Sequence, residues 1–118
     1  MTPPPPAELD TLTRAIGADA LLRLIEAHAG TRVYVPIEPN QGSPLARLIG
    51  LDAARALAKI RPGAALKVPL AREWRVRLYR SRGESYSTIA RRLGITESTV
   101  GKLLAQAGQT RAQLDLFA

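Results

Sequence analysis

Residues 85–107 read SYSTIARRLGITESTVGKLLAQA, and this stretch decides how the rest of the chain is interpreted. Ser85 is a favourable helix N-cap, and Gly94 stands where a helix must end in a left-handed backbone conformation. Thr96 is a second N-cap, and the second helix should end near Gly108. Apolar residues at helical spacing follow each cap, namely Tyr86, Ile89, Ala90 and Leu93, then Ile95, Val100, Leu103 and Leu104. The stretch therefore predicts two short helices joined by a tight turn, a helix-turn-helix.

The second of these helices has polar residues on the face opposite its apolar stripe. In a helix-turn-helix that face enters the major groove of DNA, where hydroxyl, lysine and carboxylate groups can bond base edges. We expect base contacts from Thr96, Glu97, Ser98, Thr99, Gly101 and Lys102. Arg91 and Arg92 end the first helix, which crosses the DNA backbone in this architecture, so phosphate contacts are expected there. The alternative is a solvated face on a small helical hairpin.

Composition also favours a polyanionic partner such as double-stranded DNA. The chain has 118 residues and a formal net charge of +7. Residues 1–69 hold eight basic and six acidic side chains, whereas residues 70–118 hold nine and four. Most of the excess positive charge therefore lies on and around the expected helix-turn-helix.

The sequence gives little support to an enzymatic function. There is no cysteine, no carboxylate pair, no glycine-rich phosphate loop and no metal-ligand spacing, so we expect no cofactor and no metal. The single histidine, His28, fits the C-terminal end of a helix better than a catalytic base. The N-terminus lacks the pattern of a signal peptide, and no apolar run is long enough to cross a membrane. We expect a cytoplasmic, nucleoid-associated protein.

The first half of the chain contains an internal repeat with a period of 33 residues. Ten residues are identical over the twenty-five positions from 12 to 36 when each is compared with the residue 33 positions later. The pairs include Ile16-Gly17 with Ile49-Gly50, Gly30 with Gly63, and Val35-Pro36 with Val68-Pro69. Each copy predicts a short helical turn ending at Ile-Gly, a helix, a glycine stop and a short strand closed by proline.

The predicted helices of the repeat cover about residues 18–28 and 51–60, and the strands are Thr31–Val35 and Ala64–Val68. Alternation places Val33 and Val35 on the face opposite Arg32 and Tyr34, and places Leu66 and Val68 opposite Ala65 and Lys67. Such short strands need partners, so either the two halves of one chain or two chains would pair them. The fold class is mainly α with short β-strands.

Four segments follow from these patterns. Residues 1–8 form a proline-rich disordered arm, 9–69 the repeated helix-strand dimerisation region, 70–108 the DNA-binding domain and 109–118 a C-terminal tail. Ser43-Pro44 fits an N-cap followed by proline at the first helical position. A supporting helix over 70–82 would carry Ala71, Trp74 and Leu78 on one face. Its arginines, which either touch phosphates or form a solvated face, are Arg72, Arg75, Arg77, Arg80 and Arg82.

This order of a helix, a glycine, a strand ending Val-Tyr-Val-Pro, an arginine-rich helix and a helix-turn-helix resembles the Mor/C family of bacteriophage transcription activators. The resemblance covers about residues 45–106, with residues 18–36 as a further copy of the helix and strand. It implies a homodimer whose heads read an inverted repeat upstream of a promoter and act on RNA polymerase. It also implies that Thr96, Glu97, Ser98 and Lys102 contact the operator, and that the strands near Tyr34 and Lys67 lie close to the dimer axis.

The tail contains a second pattern. Gln113, Leu114, Asp115, Leu116 and Phe117 resemble the pentapeptide with which many bacterial replication and repair proteins bind the DNA polymerase sliding clamp. In such a peptide the glutamine amide enters a small pocket and the Leu-Phe pair fills an apolar one. The alternative is a final helical turn packed on the body, because Thr110 and Gln113 have the spacing of a capping box.

Overall fold

The computed structural model describes residues 2–106. These residues are mainly helical, with one small two-stranded antiparallel sheet, as the expected fold class requires. The chain divides into two compact units. We call Pro5–Ala71 the repeat unit, and residues 2–4 together with 72–106 the head unit. No helix within residues 2–106 has the length and apolar character needed to cross a bilayer.

The repeat unit contains two copies of one helix-strand pattern. Its elements are a 3-10 helix Ala7–Leu9, α1 Asp10–His28, β1 Arg32–Tyr34, α2 Pro44–Ile49, α3 Leu51–Ile60 and β2 Ala65–Lys67. Helix α1 is broken at Gly17, whose φ is 83° and ψ 160°. Gly50 separates α2 from α3 with nearly the same angles, φ 93° and ψ 152°. The predicted Ile-Gly corners are therefore confirmed, and positive φ explains why both are glycine.

The two strands pair with each other within one chain. The register sets Arg32 opposite Lys67, Val33 opposite Leu66 and Tyr34 opposite Ala65. Beyond the strand ends, the Gly30 N–H donates to the Val68 carbonyl over 2.9 Å, and the Gly63 N–H donates to the Val35 carbonyl over 2.8 Å. Gly63 and Val68 are the repeat mates of Gly30 and Val35. The ribbon thus has a local twofold axis through the Val33–Leu66 pair.

Burial confirms the predicted alternation of the strand residues. Val35 and Val68 are fully buried, whereas Arg32, Tyr34, Ala65 and Lys67 are exposed. Helix α1 packs on both α2 and α3. The repeat unit's core therefore comes from both copies, with buried residues that include Leu12, Leu21, Leu24, Ile25, Leu45, Ile49, Ala54 and Leu57. Each strand is one residue shorter at both ends than the pattern predicts, although the Val35 N–H still donates to the Ala64 carbonyl and the Val68 N–H to the Thr31 carbonyl.

The head unit contains α4 Arg72–Ser81, α5 Tyr86–Leu93 and a further helix, α6, over residues 97–106. Its core joins Val76 and Tyr79 of α4 to Ile89 and Ala90 of α5 and Val100 of α6. Partly buried side chains that pack against this cluster are Leu93, Ile95, Leu103 and Leu104. The three helices therefore share one small apolar core.

Three details differ from the sequence expectations. The arm is not wholly without structure, because residues 7–9 form the 3-10 helix and the Trp74 Nε1–H donates to the Pro3 carbonyl over 3.2 Å. Helix α4 begins at Arg72 rather than at residue 70, since Ala71 has a φ of 48°. Ser43 occupies the N-cap position of α2 and Pro44 the first helical position, as predicted, but the Ser43 hydroxyl accepts from the Asn40 N–H and makes no cap bond to α2.

Candidate nucleic-acid interface

The beginning of α5 is fixed by a side-chain cap. The Ser85 Oγ accepts the Thr88 N–H over 3.2 Å, and the Ser85 carbonyl accepts the Ile89 N–H. This confirms Ser85 as the N-cap. Ile89 and Ala90 are buried as the apolar stripe requires, but Tyr86, assigned to the same stripe, is 40% exposed. In the first turn of a helix Tyr86 lies at the edge of the core rather than inside it.

The turn between α5 and α6 depends on Gly94. Its φ of 68° and ψ of 35° are left-handed, as the sequence predicts for a helix-ending glycine. The N–H groups of Gly94 and Ile95 both donate to the Ala90 carbonyl, the Ile95 bond measuring 3.0 Å. These bonds satisfy a carbonyl near the end of α5 and turn the chain sharply into α6.

Helix α6 begins at a cap formed by two threonines. The Thr96 Oγ1 accepts the Thr99 N–H over 3.1 Å, and the two hydroxyl oxygens are 2.9 Å apart. Thr96 is thereby confirmed as the N-cap. Both hydroxyls, which the sequence assigned to base contacts, already bond each other. Each of these hydroxyls can form a further hydrogen bond, for example to a base, only with a lone pair or a proton that the cap does not already use.

The outward face of α6 carries three polar side chains that make no bond within the described residues. Glu97, Ser98 and Lys102 are all exposed, and none has a hydrogen bond or an ion pair from its side chain there. They are one carboxylate, one hydroxyl and one ammonium group on neighbouring turns of one helix. Together they offer an acceptor, a donor-acceptor and a donor to a ligand.

Gly101 lies between Glu97 and Ser98 around the axis of α6, next to the start of α5. A Cβ built on it would be 3.7 Å from the Cε2 atom of Tyr86, so the residue faces the ring at the start of α5. The small residue at this position allows α6 to approach Tyr86. The Arg80 guanidinium lies over the same ring, 5.2 Å from its centre.

The two arginines that end α5 are in different environments. Arg92 Nε donates to a Glu84 carboxylate oxygen over 2.6 Å, and the Arg92 guanidinium lies 4.9 Å from the centre of the Tyr79 ring. Arg91 is exposed and has no acidic partner in the described part of the chain. Arg92 is thus paired with Glu84 and lies over the Tyr79 ring, while Arg91 presents an uncompensated charge.

The α4 arginines also divide into distinct groups. Arg75, expected on a phosphate-binding or solvated face, is only 8% exposed, and its Nε donates to the Tyr79 hydroxyl over 3.4 Å. Arg80 donates to the Glu84 carbonyl over 3.0 Å. The sequence analysis did not identify Val76, Tyr79 and Glu84 as residues of this site. The reason is that burial of α4 side chains depends on packing against α5 and α6, which are separate from α4 in sequence. Arg72, Arg77 and Arg82 remain outside these contacts.

The repeat unit has features that bear on other functions. An open groove is lined by both Ile-Gly corners and by Asp19, Asp52 and Arg23. Within residues 2–106 no group of three or more histidine, aspartate or glutamate side chains is placed to hold a metal ion. His28 is exposed at the end of α1. The tail pattern Gln113–Phe117 and the expected helix end near Gly108 lie outside the described residues.

Comparisons with known proteins give no homologue from which to transfer a function. No protein-family model, curated protein or solved structure matches this chain. The function therefore has to be argued from the chain's own residues.

Proposed function

We propose that this protein is a sequence-specific DNA-binding transcription regulator, in which α5 and α6 form a helix-turn-helix and α6 enters the major groove. One observation carries the proposal. The α5–α6 pair is capped at Ser85 and Thr96 and turned at Gly94, and it leaves Glu97, Ser98 and Lys102 unbonded on one exposed face. In helix-turn-helix proteins the N-terminal residues of the second helix contact base edges, and the unbonded side chains of α6 lie towards that end.

Each of these groups has a chemical role in this proposal. Lys102 can donate to guanine O6 and N7, Glu97 can accept from a cytosine amino group, and Ser98 can bond either kind of edge. Thr96 and Thr99 hold the helix end in shape and add short-range contacts. Charge supports the proposal, because residues 72–106 contain eight arginines and lysines against three glutamates.

Phosphate contacts would position the head on the duplex. Arg91 is the stronger candidate of the predicted pair, since its guanidinium is exposed and uncompensated. Arg92 is committed to Glu84 and Tyr79, so it contributes to DNA binding mainly by fixing α5 on α4. Sequence would then be read by α6, and register and affinity would depend on Arg91 and the exposed α4 arginines.

The full proposal includes a homodimer that binds an inverted repeat and activates transcription through RNA polymerase, as the resemblance to the Mor/C family implies. Two heads related by a twofold axis would read two half-sites about one helical turn, roughly 34–36 Å, apart. Because β1 and β2 are already paired within one chain, a second copy joins either through another surface or by exchanging these strands.

A second candidate function rests on the sequence of the tail. Gln113–Phe117 would bind the replication sliding clamp, which would make the protein a DNA-binding adaptor at the replication machinery. Deleting residues 113–118 separates the two functions. A regulator keeps its operator affinity without the tail, whereas an adaptor loses clamp binding.

The experiment that tests the proposal is selection of bound duplexes from a random DNA library by the full-length protein at near-physiological salt. We expect an enriched inverted repeat. Lys102→Ala should then weaken binding to that site by about 1–3 kcal/mol and relax its preference at one base pair, if Lys102 reads a base. Lys59→Ala, which removes an equal charge from an exposed position on α3, is the matched control and should leave the preference unchanged. Selection that enriches no sequence would refute the proposal.

A further inference from the structure

An aromatic side chain, Tyr86, lies beside the free face of α6. Its Cε2 atom is 3.7 Å from the position of a Cβ on Gly101, which lies between Glu97 and Ser98 around the helix axis. Tyr86 is 40% exposed, although it belongs to the predicted apolar stripe of α5. A duplex in contact with Glu97 and Ser98 would therefore have this ring at the edge of its binding surface.

The Tyr86 hydroxyl is available to a ligand. It makes no hydrogen bond within residues 2–106. The ring, by contrast, is held on two sides, by α6 at Gly101 and by the Arg80 guanidinium. A phenolic hydroxyl can donate one hydrogen bond, which an anionic oxygen accepts. Tyr86 thus presents a fixed, unused donor next to the polar side chains of α6.

Arg80 lies over the same ring and keeps most of its donors. Its guanidinium carbon is 5.2 Å from the ring centre, and its Nη1 donates to the Glu84 carbonyl over 3.0 Å. A guanidinium group has several N–H donors, and this bond uses only one of them. The Glu84 carboxylate does not neutralise Arg80, because it is paired with Arg92 over 2.6 Å. Arg80 is exposed and has no ion pair in the part of the chain that the structure describes.

We infer that the Tyr86 hydroxyl and the Arg80 guanidinium together bind one phosphate group of the DNA strand that borders α6. Arginine presents a planar set of donors that matches phosphate oxygens, and an aromatic ring beneath it holds that set in place. The hydroxyl adds a neutral donor to the same phosphate. This inference deepens the proposed function and rests on it: α6 reads base edges, and the Arg80–Tyr86 pair fixes the head on the adjacent backbone.

Tyr86→Phe tests the hydroxyl alone, because it keeps the ring and its contacts. We expect the full-length variant to bind about tenfold more weakly, by the same factor to the selected duplex and to an unrelated one, since both carry the same phosphates. The slope of log affinity against log salt should not change, because no charge is removed. Fluorescence anisotropy of labelled duplexes measures both quantities. Unchanged affinity for both duplexes would overturn the inference.

Arg80→Gln tests the charge. It should lower the salt slope by about 1 for every duplex, as expected for the loss of one phosphate contact. Arg55→Gln, which removes an equal charge from an exposed position on α3, is the matched control and should leave the slope unchanged. If Arg80 only holds the start of α5 by packing on its ring, Arg80→Gln will lower the urea midpoint measured by Trp74 emission and leave the salt slope unchanged. That result would overturn the inference.

Ethylation of single phosphates tests whether both groups bind the same one. Ethylation neutralises a phosphate, so each position where it weakens binding by the wild type is a contact. We expect at least one such position to lose its effect when Tyr86→Phe is combined with Arg80→Gln, while the others keep theirs. An ethylation pattern identical to that of the wild type would overturn the inference.

Failure of this inference is distinguishable from failure of the proposed function. If selection enriches no sequence, base recognition by α6 is refuted, but the affinity and salt comparisons can still be made on a duplex of arbitrary sequence. If a sequence is enriched and both Tyr86→Phe and Arg80→Gln bind it as the wild type does, only the phosphate contact is refuted. A protein that binds no duplex would overturn both.

Discussion

Gly94 and Gly101, the two glycines of the α5–α6 segment, differ in what a side chain would cost. Gly94 has a left-handed φ of 68°. Gly101 is helical, and a Cβ there would meet the Tyr86 ring at 3.7 Å, an ordinary contact. We expect Gly94→Ala to lower the free energy of unfolding of the head by about 1–2 kcal/mol, because alanine resists the left-handed region. Urea unfolding followed by Trp74 emission measures this change.

The matched variant Gly101→Ala should raise the stability of the head, by up to about 1 kcal/mol, because alanine is the better helix former. A Cβ at Gly101 would be in contact with the Tyr86 ring, so we expect this variant to bind the selected duplex as tightly as the wild type. A large loss of DNA affinity in Gly101→Ala would show that the groove approaches α6 at this residue instead.

Arg91 and Arg92 are adjacent, yet they should respond differently to removal. Arg91→Ala should reduce the slope of log affinity against log salt by about 1 for every duplex tested, as expected for the loss of one phosphate contact. Its thermal stability should not change. Arg92→Ala breaks the contacts with Glu84 and the Tyr79 ring, so it should cost about 1 kcal/mol of head stability and change the salt slope less. Equal salt slopes for both variants would contradict this division.

At the scale of elements, the β1–β2 ribbon contains an unfavourable pair. Arg32 and Lys67 face each other on its exposed side, and like charges directly opposite destabilise a strand pair. Lys67→Glu replaces that repulsion with an attraction and should stabilise the repeat unit by about 0.2–1 kcal/mol. Lys67→Gln, which only removes the repulsion, should give a smaller gain. Urea midpoints measured by circular dichroism at low salt should therefore increase from the wild type to Lys67→Gln to Lys67→Glu. If Arg32 and Lys67 do not interact, the midpoints will not follow this order.

The elements that could be predicted from sequence are those set by neighbouring residues. Ser85, Gly94 and Thr96 form hydrogen bonds with residues three or four positions away along the chain, and each has the conformation that its residue type favours. The repeat predicted both Ile-Gly corners for the same reason. Pairing between copies depends on distant residues, and two similar copies fit one chain or two equally well in sequence. The contacts of Arg92 with Tyr79 and of Trp74 with Pro3 are equally non-local, with no signal in the sequence.

At the scale of the whole molecule, the two units divide their tasks by core and by charge. The head unit's residues 72–106 hold eight basic and three acidic residues, and the proposed base contacts lie on α6. The repeat unit is close to neutral, and its two halves are held together by their own buried core. In the proposed function the head recognises DNA and the repeat unit assembles the dimer.

This division makes a prediction about unfolding. Leu57 is fully buried in the repeat unit, and Leu57→Ala should cost that unit about 2–5 kcal/mol through lost contacts and a cavity. Trp74, the single tryptophan, is 2% exposed in the head unit, so its emission reports on the head. Because each unit has its own core, we expect the urea transition of Leu57→Ala measured by circular dichroism to move to lower urea. It should then separate from the transition measured by Trp74 emission, whose midpoint should not change. The control variant Lys59→Ala, on the same helix as Leu57, should move neither the circular dichroism transition nor the Trp74 transition. A common shift of both transitions in Leu57→Ala would mean that the two units unfold together, which would contradict their division into independent cores.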